Sequence, residues 1–209
     1  DWSSSTSWVG GVVPGAGDNV VIATGANVII ASASSCSNLT IQSGATLSSG
    51  GPYTLQVNGD WTNNGSYNGG TNGIVEFTGA TNAIISGTTN FEELKITKGG
   101  LNTKLTINGS TSVTSGGSLT MNSGLITIPA GGSFTVNPSS GLAIPITAGF
   151  DITGGTLTTG NFTITNEGLI RISAGTAAFG SVSGNTVHTK TDGAFIVSGG
   201  TVNIAGRLE

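Results

Sequence analysis

The chain has 209 residues, 36 of them glycine, with 6 Lys and Arg against 10 Asp and Glu, a net charge of −4, and only 8% charged residues. Globular domains carry about 25% charge, while disordered chains lack the 36% apolar content found here. The acidic balance excludes a nucleic-acid or anionic-lipid surface, which needs clustered Lys and Arg. No stretch approaches the roughly 18 apolar residues of a membrane span, so no membrane insertion is expected.

Residues 1–19 read as an N-terminal cap. Trp2 and Trp8 stand in a Ser-rich stretch, followed by Gly10-Gly11 and Pro14-Gly15-Ala16-Gly17-Asp18. Stacked repeats expose apolar core at each end, and two indoles are suited to cover such a cross-section. A sugar platform is the alternative reading of the two indoles.

From 20 to 209 the chain reads as one continuous series of coils. Val20-Val21-Ile22 and Val28-Ile29-Ile30 flank the turn Thr24-Gly25-Ala26-Asn27. Nine apolar–polar–apolar triplets follow: Leu39-Thr40-Ile41, Leu55-Gln56-Val57, Val75-Glu76-Phe77, Leu94-Lys95-Ile96, Leu105-Thr106-Ile107, Leu119-Thr120-Met121, Phe134-Thr135-Val136, Phe162-Thr163-Ile164 and Val202-Asn203-Ile204. Each predicts a short strand with two side chains inward and one outward. The first four begin 16, 20 and 19 residues apart, a period typical of stacked units that cannot bury their apolar faces alone. Pro129, Pro138 and Pro145 are expected at corners or strand ends, because proline cannot donate to a ladder. The fold class is therefore all-β, a single-stranded parallel β-helix. Nine to eleven coils would make a rod of about 45–50 Å. The sequence stops at Arg207-Leu208-Glu209 without a polar cap, which points to a longer natural chain or to Leu208-Glu209 as a cloning remnant.

Groups suited to chemistry are sparse. Cys36 is the sole cysteine and His188 the sole histidine. No internal disulfide can form, no zinc site can be assembled from them alone, and Cys36 reads as a small buried hydrophobe. No metal, cofactor or catalytic residue is expected; Asp18 reads as a backbone-capping carboxylate, with a structural cation as the alternative. Asp60 and Glu76 form the best carboxylate pair for a carbohydrate-active β-helix (a polysaccharide lyase or hydrolase), since glycoside cleavage uses two facing carboxylates. The other acids are isolated. Arg171 is placed outward, close to Glu167. Lys95, Lys98 and Lys104 read as a solvated outer face.

Binding is the stronger expectation. Tyr53, Trp61 and Tyr67 lie among Asn58, Asp60, Asn63, Asn64 and Asn68. Aromatic faces beside amides and carboxylates suit polysaccharide or a cell-surface glycan. The tentative sugar site is thus Tyr53, Asp60, Trp61, Asn63 and Tyr67, with packing of Trp61 over a coil corner as the competing reading. An ice-binding hydroxyl array of Thr40, Thr106, Thr120, Thr135 and Thr163 is a further alternative, interrupted by Gln56, Glu76 and Lys95.

The first fifty residues, from Trp2–Trp8 through Pro14–Ile22, Gly25, Val28–Ile30, Leu39–Ile41 and Gly44–Leu47, resemble the eight-glycine domain of secreted and cell-surface β-helical proteins. Leu55–Gly65 with Val75–Gly79 is similar to repeats of large surface proteins of the Bacteroidetes. The resemblance implies a right-handed winding and a secreted or cell-surface location; for activity it implies little beyond an adhesion-like module.

Overall fold

The computed structural model describes residues 1–138 and 140–209. It is a parallel β-solenoid of about nine turns, which at about 4.8 Å per turn is a rod near 40 Å long. Each regular turn contributes one strand to each of three faces. The first turn is Val20–Ile22, Asn27–Ile30 and Ser34–Cys36; the second is Leu39–Ile41, Thr46–Ser49 and Thr54–Val57. Register is parallel on all three faces, with Val20 beside Leu39, Val28 beside Leu47, and Leu55 beside Val75. On face one Val20, Leu39, Trp61 and Ile85 are successive partners, 19, 22 and 24 residues apart.

Alternation along these strands builds the interior. On face three Cys36, Val57, Phe77, Ile96 and Met121 form one inward column, and Leu55, Val75, Leu94 and Leu119 form another. All are buried, and each large aliphatic or aromatic side chain contributes about 1.5–3 kcal/mol by leaving water. Later in the chain the corners straighten. Ala83–Thr97 is one unbroken extended segment that runs round all three faces, and Lys104–Ile128 runs further than a full turn. Gly87 makes this possible at one bend. Its φ is +82°, and a Cβ there would run into the carbonyl of Asn63 in the turn above.

A ladder of Asx side chains fixes the corner before face one. Asn38 Nδ2 donates to Asn19 Oδ1, and Asn38 Oδ1 accepts the Asp60 N–H. Asp60 Oδ1 accepts the Ile84 N–H, and Asn82 Oδ1 accepts the Lys104 N–H. Asn38, Asp60 and Asn82 each satisfy a backbone donor that the strands cannot reach.

At the N-terminus Trp2 is buried against the first turn, and its backbone N–H donates to Ile29 O. Trp8 meets it edge-on at 5.1 Å and donates Nε1 to Trp2 O. Pro129, Pro138 and Pro145 each follow within two residues of a strand end, at Ile128, Val136 and Ile144.

Three expectations are corrected. The nine triplets equal the turns in number but are not equivalent positions: Leu39–Ile41 lies on face one, Leu55–Val57 on face three and Phe134–Val136 on face two. Phe162 precedes its strand, which is Ile164–Asn166. The threonine array is dispersed for the same reason, with Thr40 and Thr106 on face one, Thr120 on face three, Thr135 on face two and Thr163 outside the strands. Lys98 is not solvated. It is 3% exposed, and its Nζ donates to Asn58 O at 3.0 Å and Thr78 O at 2.6 Å, carbonyls of the two turns above.

Candidate functional site

Face three carries an organised polar surface. Ser35, Gln56, Glu76, Lys95 and Thr120 are consecutive register partners down five turns. They point outward because the residues flanking each of them point inward. Gln56 Nε2 donates to Glu76 Oε2 at 3.1 Å, Thr97 Oγ1 donates to Glu76 Oε1 at 2.8 Å, and Asn122 Nδ2 donates to Thr97 Oγ1 at 3.0 Å. Gln56, Glu76, Thr97 and Asn122 are therefore held in place before any ligand arrives. Lys95 forms no ion pair among the described residues.

Two hollows lie on this face. The upper, of about 300 Å³, is lined by Ala33, Ser34, Ser35, Thr54, Gln56 and Glu76. The lower, of about 480 Å³, lies where Ser118–Asn122 faces Ser140, Gly141, Ala143 and Pro145. A third hollow, of about 460 Å³, sits over the first turn beside Trp8 and is lined mainly by valine, alanine and isoleucine.

The five residues of the expected sugar site are dispersed. Trp61 is 0% exposed and Asn63 is buried, both in the interior at the third turn. Trp61 Nε1 donates to Thr89 Oγ1 at 2.9 Å, and Asn63 Nδ2 donates to Thr88 O at 2.7 Å. Trp61 packs edge-on against Tyr67 at 5.1 Å and tilted against Phe91 at 5.3 Å, so its indole offers no face to a ligand. Tyr67 is half-buried, and its phenol pKa is pushed up by burial and, second, by the charge of Glu92. Asp60 is exposed at the corner before face one, engaged in the Asx ladder. Tyr53 alone of the three aromatics is exposed.

The residues that do converge are Gln56, Glu76, Lys95, Thr97, Thr120 and Asn122. Their signal was present in the sequence, since Gln56, Glu76, Lys95 and Thr120 are the middle residues of four triplets. What the sequence lacked was the face to which each triplet belongs.

The carboxylate pair does not assemble either. Asp60 caps Ile84, whereas Glu76 serves Gln56 and Thr97 on another face. Arg171 pairs not with Glu167 but with Asp151 of the preceding turn, through Nε at 2.9 Å and Nη2 at 2.7 Å. That bond raises the guanidinium pKa above its ordinary value. Asp18 Oδ2 accepts the Gly15 N–H at 2.9 Å, and no group of three potential metal ligands exists among the described residues. Cys36 is buried, which pushes its thiol pKa up to about 12, far from thiolate chemistry.

No curated protein and no solved structure matches the chain. Residues 7–124, more than half of the 209, match the model of the G8 domain. That span takes in the Trp8 side of the cap, the first five turns and the whole polar column from Ser35 to Thr120, and the chain belongs to the G8 domain family.

Proposed function

We propose that the chain is a structural and adhesive β-helix module of a secreted or surface-anchored bacterial protein. It holds neighbouring domains apart and makes weak contacts with polysaccharide along face three. The observation that supports contact with polysaccharide is the outward column Ser35–Gln56–Glu76–Lys95–Thr120, an array of hydroxyl, amide, carboxylate and ammonium groups in register, with Gln56 and Glu76 hydrogen-bonded to each other. Polymer hydroxyls are matched by such groups, and individually weak contacts gain strength when a long glycan engages several at once. The spacer role is supported by the parallel ladder of face one, which runs unbroken from Val20–Ile22 through Leu39–Ile41, Trp61–Asn63 and Ile85–Gly87 to Ile107–Gly109 and gives a short chain a stiff axis.

The test is native electrophoresis through gels cast with individual polysaccharides, comparing the wild-type chain with a Gln56→Ala, Glu76→Ala, Lys95→Ala triple variant. Retardation of the wild type, reduced in the variant while its β-type circular dichroism persists, is the expected result. Equal retardation of both would move the contact off Gln56, Glu76 and Lys95. No retardation in any polymer would leave a spacer without a glycan ligand.

A further inference from the structure

On face three the ladder is continuous from Ser34–Cys36 down to Ser118–Met121, which pairs with Glu93–Ile96 above it. Below that strand it stops. Leu142–Ile144, the next strand on the same face, pairs only with Ile164–Asn166 beneath it among the described residues. The reason lies in the lower strand. Leu142 donates its N–H to Thr163 O, and Ile144 O accepts from the Glu167 N–H, both toward the turn below. Backbone groups of a parallel strand alternate between its two neighbours. Ala143 therefore turns its N–H and C=O upward, and Pro145, the next residue on that side, has no N–H to offer.

The opened ladder forms the lower hollow of about 480 Å³, within the roughly 300–1,000 Å³ typical of small-molecule sites. Leu119 and Met121 at its floor are 7% and 4% exposed, whereas Leu55, Val75, Leu94, Val57, Phe77 and Ile96 in the same two columns are 0%. Hydroxyl and amide groups of Ser118, Thr120, Asn122 and Ser140 surround this apolar floor, and among the described residues none that lines it is charged.

Resting on the polysaccharide reading above, we propose that this break is a built subsite for a neutral sugar of the polymer. Its C–H face would lie over Leu119 and Met121, and its hydroxyls would bond to Thr120, Asn122, Ser140 and the freed backbone of Ala143. The described lining itself holds no cation for a uronate, the nearest being Lys95 one turn above Thr120, and a protein strand would find Pro145 in place of a donor. The residues of this site are separate from Gln56 and Glu76, which lie three and two turns higher.

The test uses the full chain in native gels cast with a neutral glucan, mannan or galactan, and with polygalacturonate. Ala143 is exposed, so Ala143→Trp fills the hollow without touching the core, and Thr120→Ala removes one hydroxyl from its rim. Thr40→Trp, outward on face one, is the control. The expected result is retardation by at least one neutral polymer, weakened by about tenfold in Ala143→Trp, reduced in Thr120→Ala and unchanged in Thr40→Trp. Retardation that survives in Ala143→Trp, or that occurs only in polygalacturonate, would overturn the subsite while leaving polysaccharide contact standing. Absence of retardation in every polymer would overturn both.

Discussion

Trp61 and Thr89 meet inside the solenoid, where the indole Nε1 donates to the hydroxyl at 2.9 Å. The same hydroxyl also receives Asn63 Nδ2. A polar triangle thus sits within the aromatic cluster of Trp61, Tyr67, Phe77 and Phe91. Buried polar atoms are tolerated when each finds a partner, and here they fix the register of the third and fourth turns.

Trp61→Ala is therefore expected to damage the fold rather than a binding surface. Its cost should be about 3–5 kcal/mol from the cavity, whereas Trp61→Phe should cost less by keeping most of the packing. Urea unfolding followed by circular dichroism checks both. A Trp61→Ala chain as stable as the wild type would contradict the interior placement.

Asp60 is a rung of the Asx ladder, so its charge is dispensable and its acceptor oxygen is not. Asp60→Asn should change the thermal midpoint little, and Asp60→Ala should destabilise by about 1–2 kcal/mol through the lost cap on Ile84. Equal losses in the two variants would argue that the carboxylate itself matters.

Lys98 predicts a pH dependence. Burial holds its pKa below the ordinary 10.5, against the opposing pull of Asp60. Between that lowered value and 10.5 the unfolded chain binds more protons than the folded one, so this residue makes stability rise with pH across the window. Below the window both states carry the ammonium and the burial penalty is present in full. Tyr67 and Cys36 act the other way, because their raised pKa values make stability fall above about 10 and 9. Lys98→Met retains those two effects and lacks the first. The stability of the wild type relative to Lys98→Met should therefore rise with pH toward 10.5, and a flat difference would refute it. At neutral pH the variant should be less stable by about 1–3 kcal/mol, since Asn58 O and Thr78 O lose their donor.

The pair Asp151–Arg171 is asymmetric, with side chains 4% and 43% exposed. Leu101 lies beside Gly149, two residues from Asp151 on the same strand. Arg171→Ala strands a buried charge and should cost about 3–5 kcal/mol. Asp151→Ala leaves a guanidinium that reaches water and should cost less. Denaturation midpoints of both variants and the double variant decide the order.

Much of the fold could be read from alternation alone, because Leu39–Ile41, Leu55–Val57 and Val75–Phe77 are strands with the expected inward pairs. The assignment of strands to faces could not. A triplet records which side chains point inward, but the corner geometry that sends it to one face or another resides in Asn38, Asn82 and glycines such as Gly87. Trp61-Thr62-Asn63 shows why the expected sugar site dissolved. Asn63 stands below Ile41 in an inward column, and a polar residue there disguises the strand as a surface segment. Lys98 misled for a related reason, since its long stem runs along the corner and its partners are backbone carbonyls that no side-chain pattern reveals.

The direction of the ladders has a mechanical corollary. Every interstrand hydrogen bond lies nearly along the rod axis, so tension applied between the two ends loads them a turn at a time instead of all together. A turn of about 20 residues, once detached, would release about 70 Å of extended chain from some 4.8 Å of rod. Under load the module would lengthen stepwise by unwinding from an end, with the Trp2–Trp8 clasp and the Asx rungs setting the force at which the first turns yield.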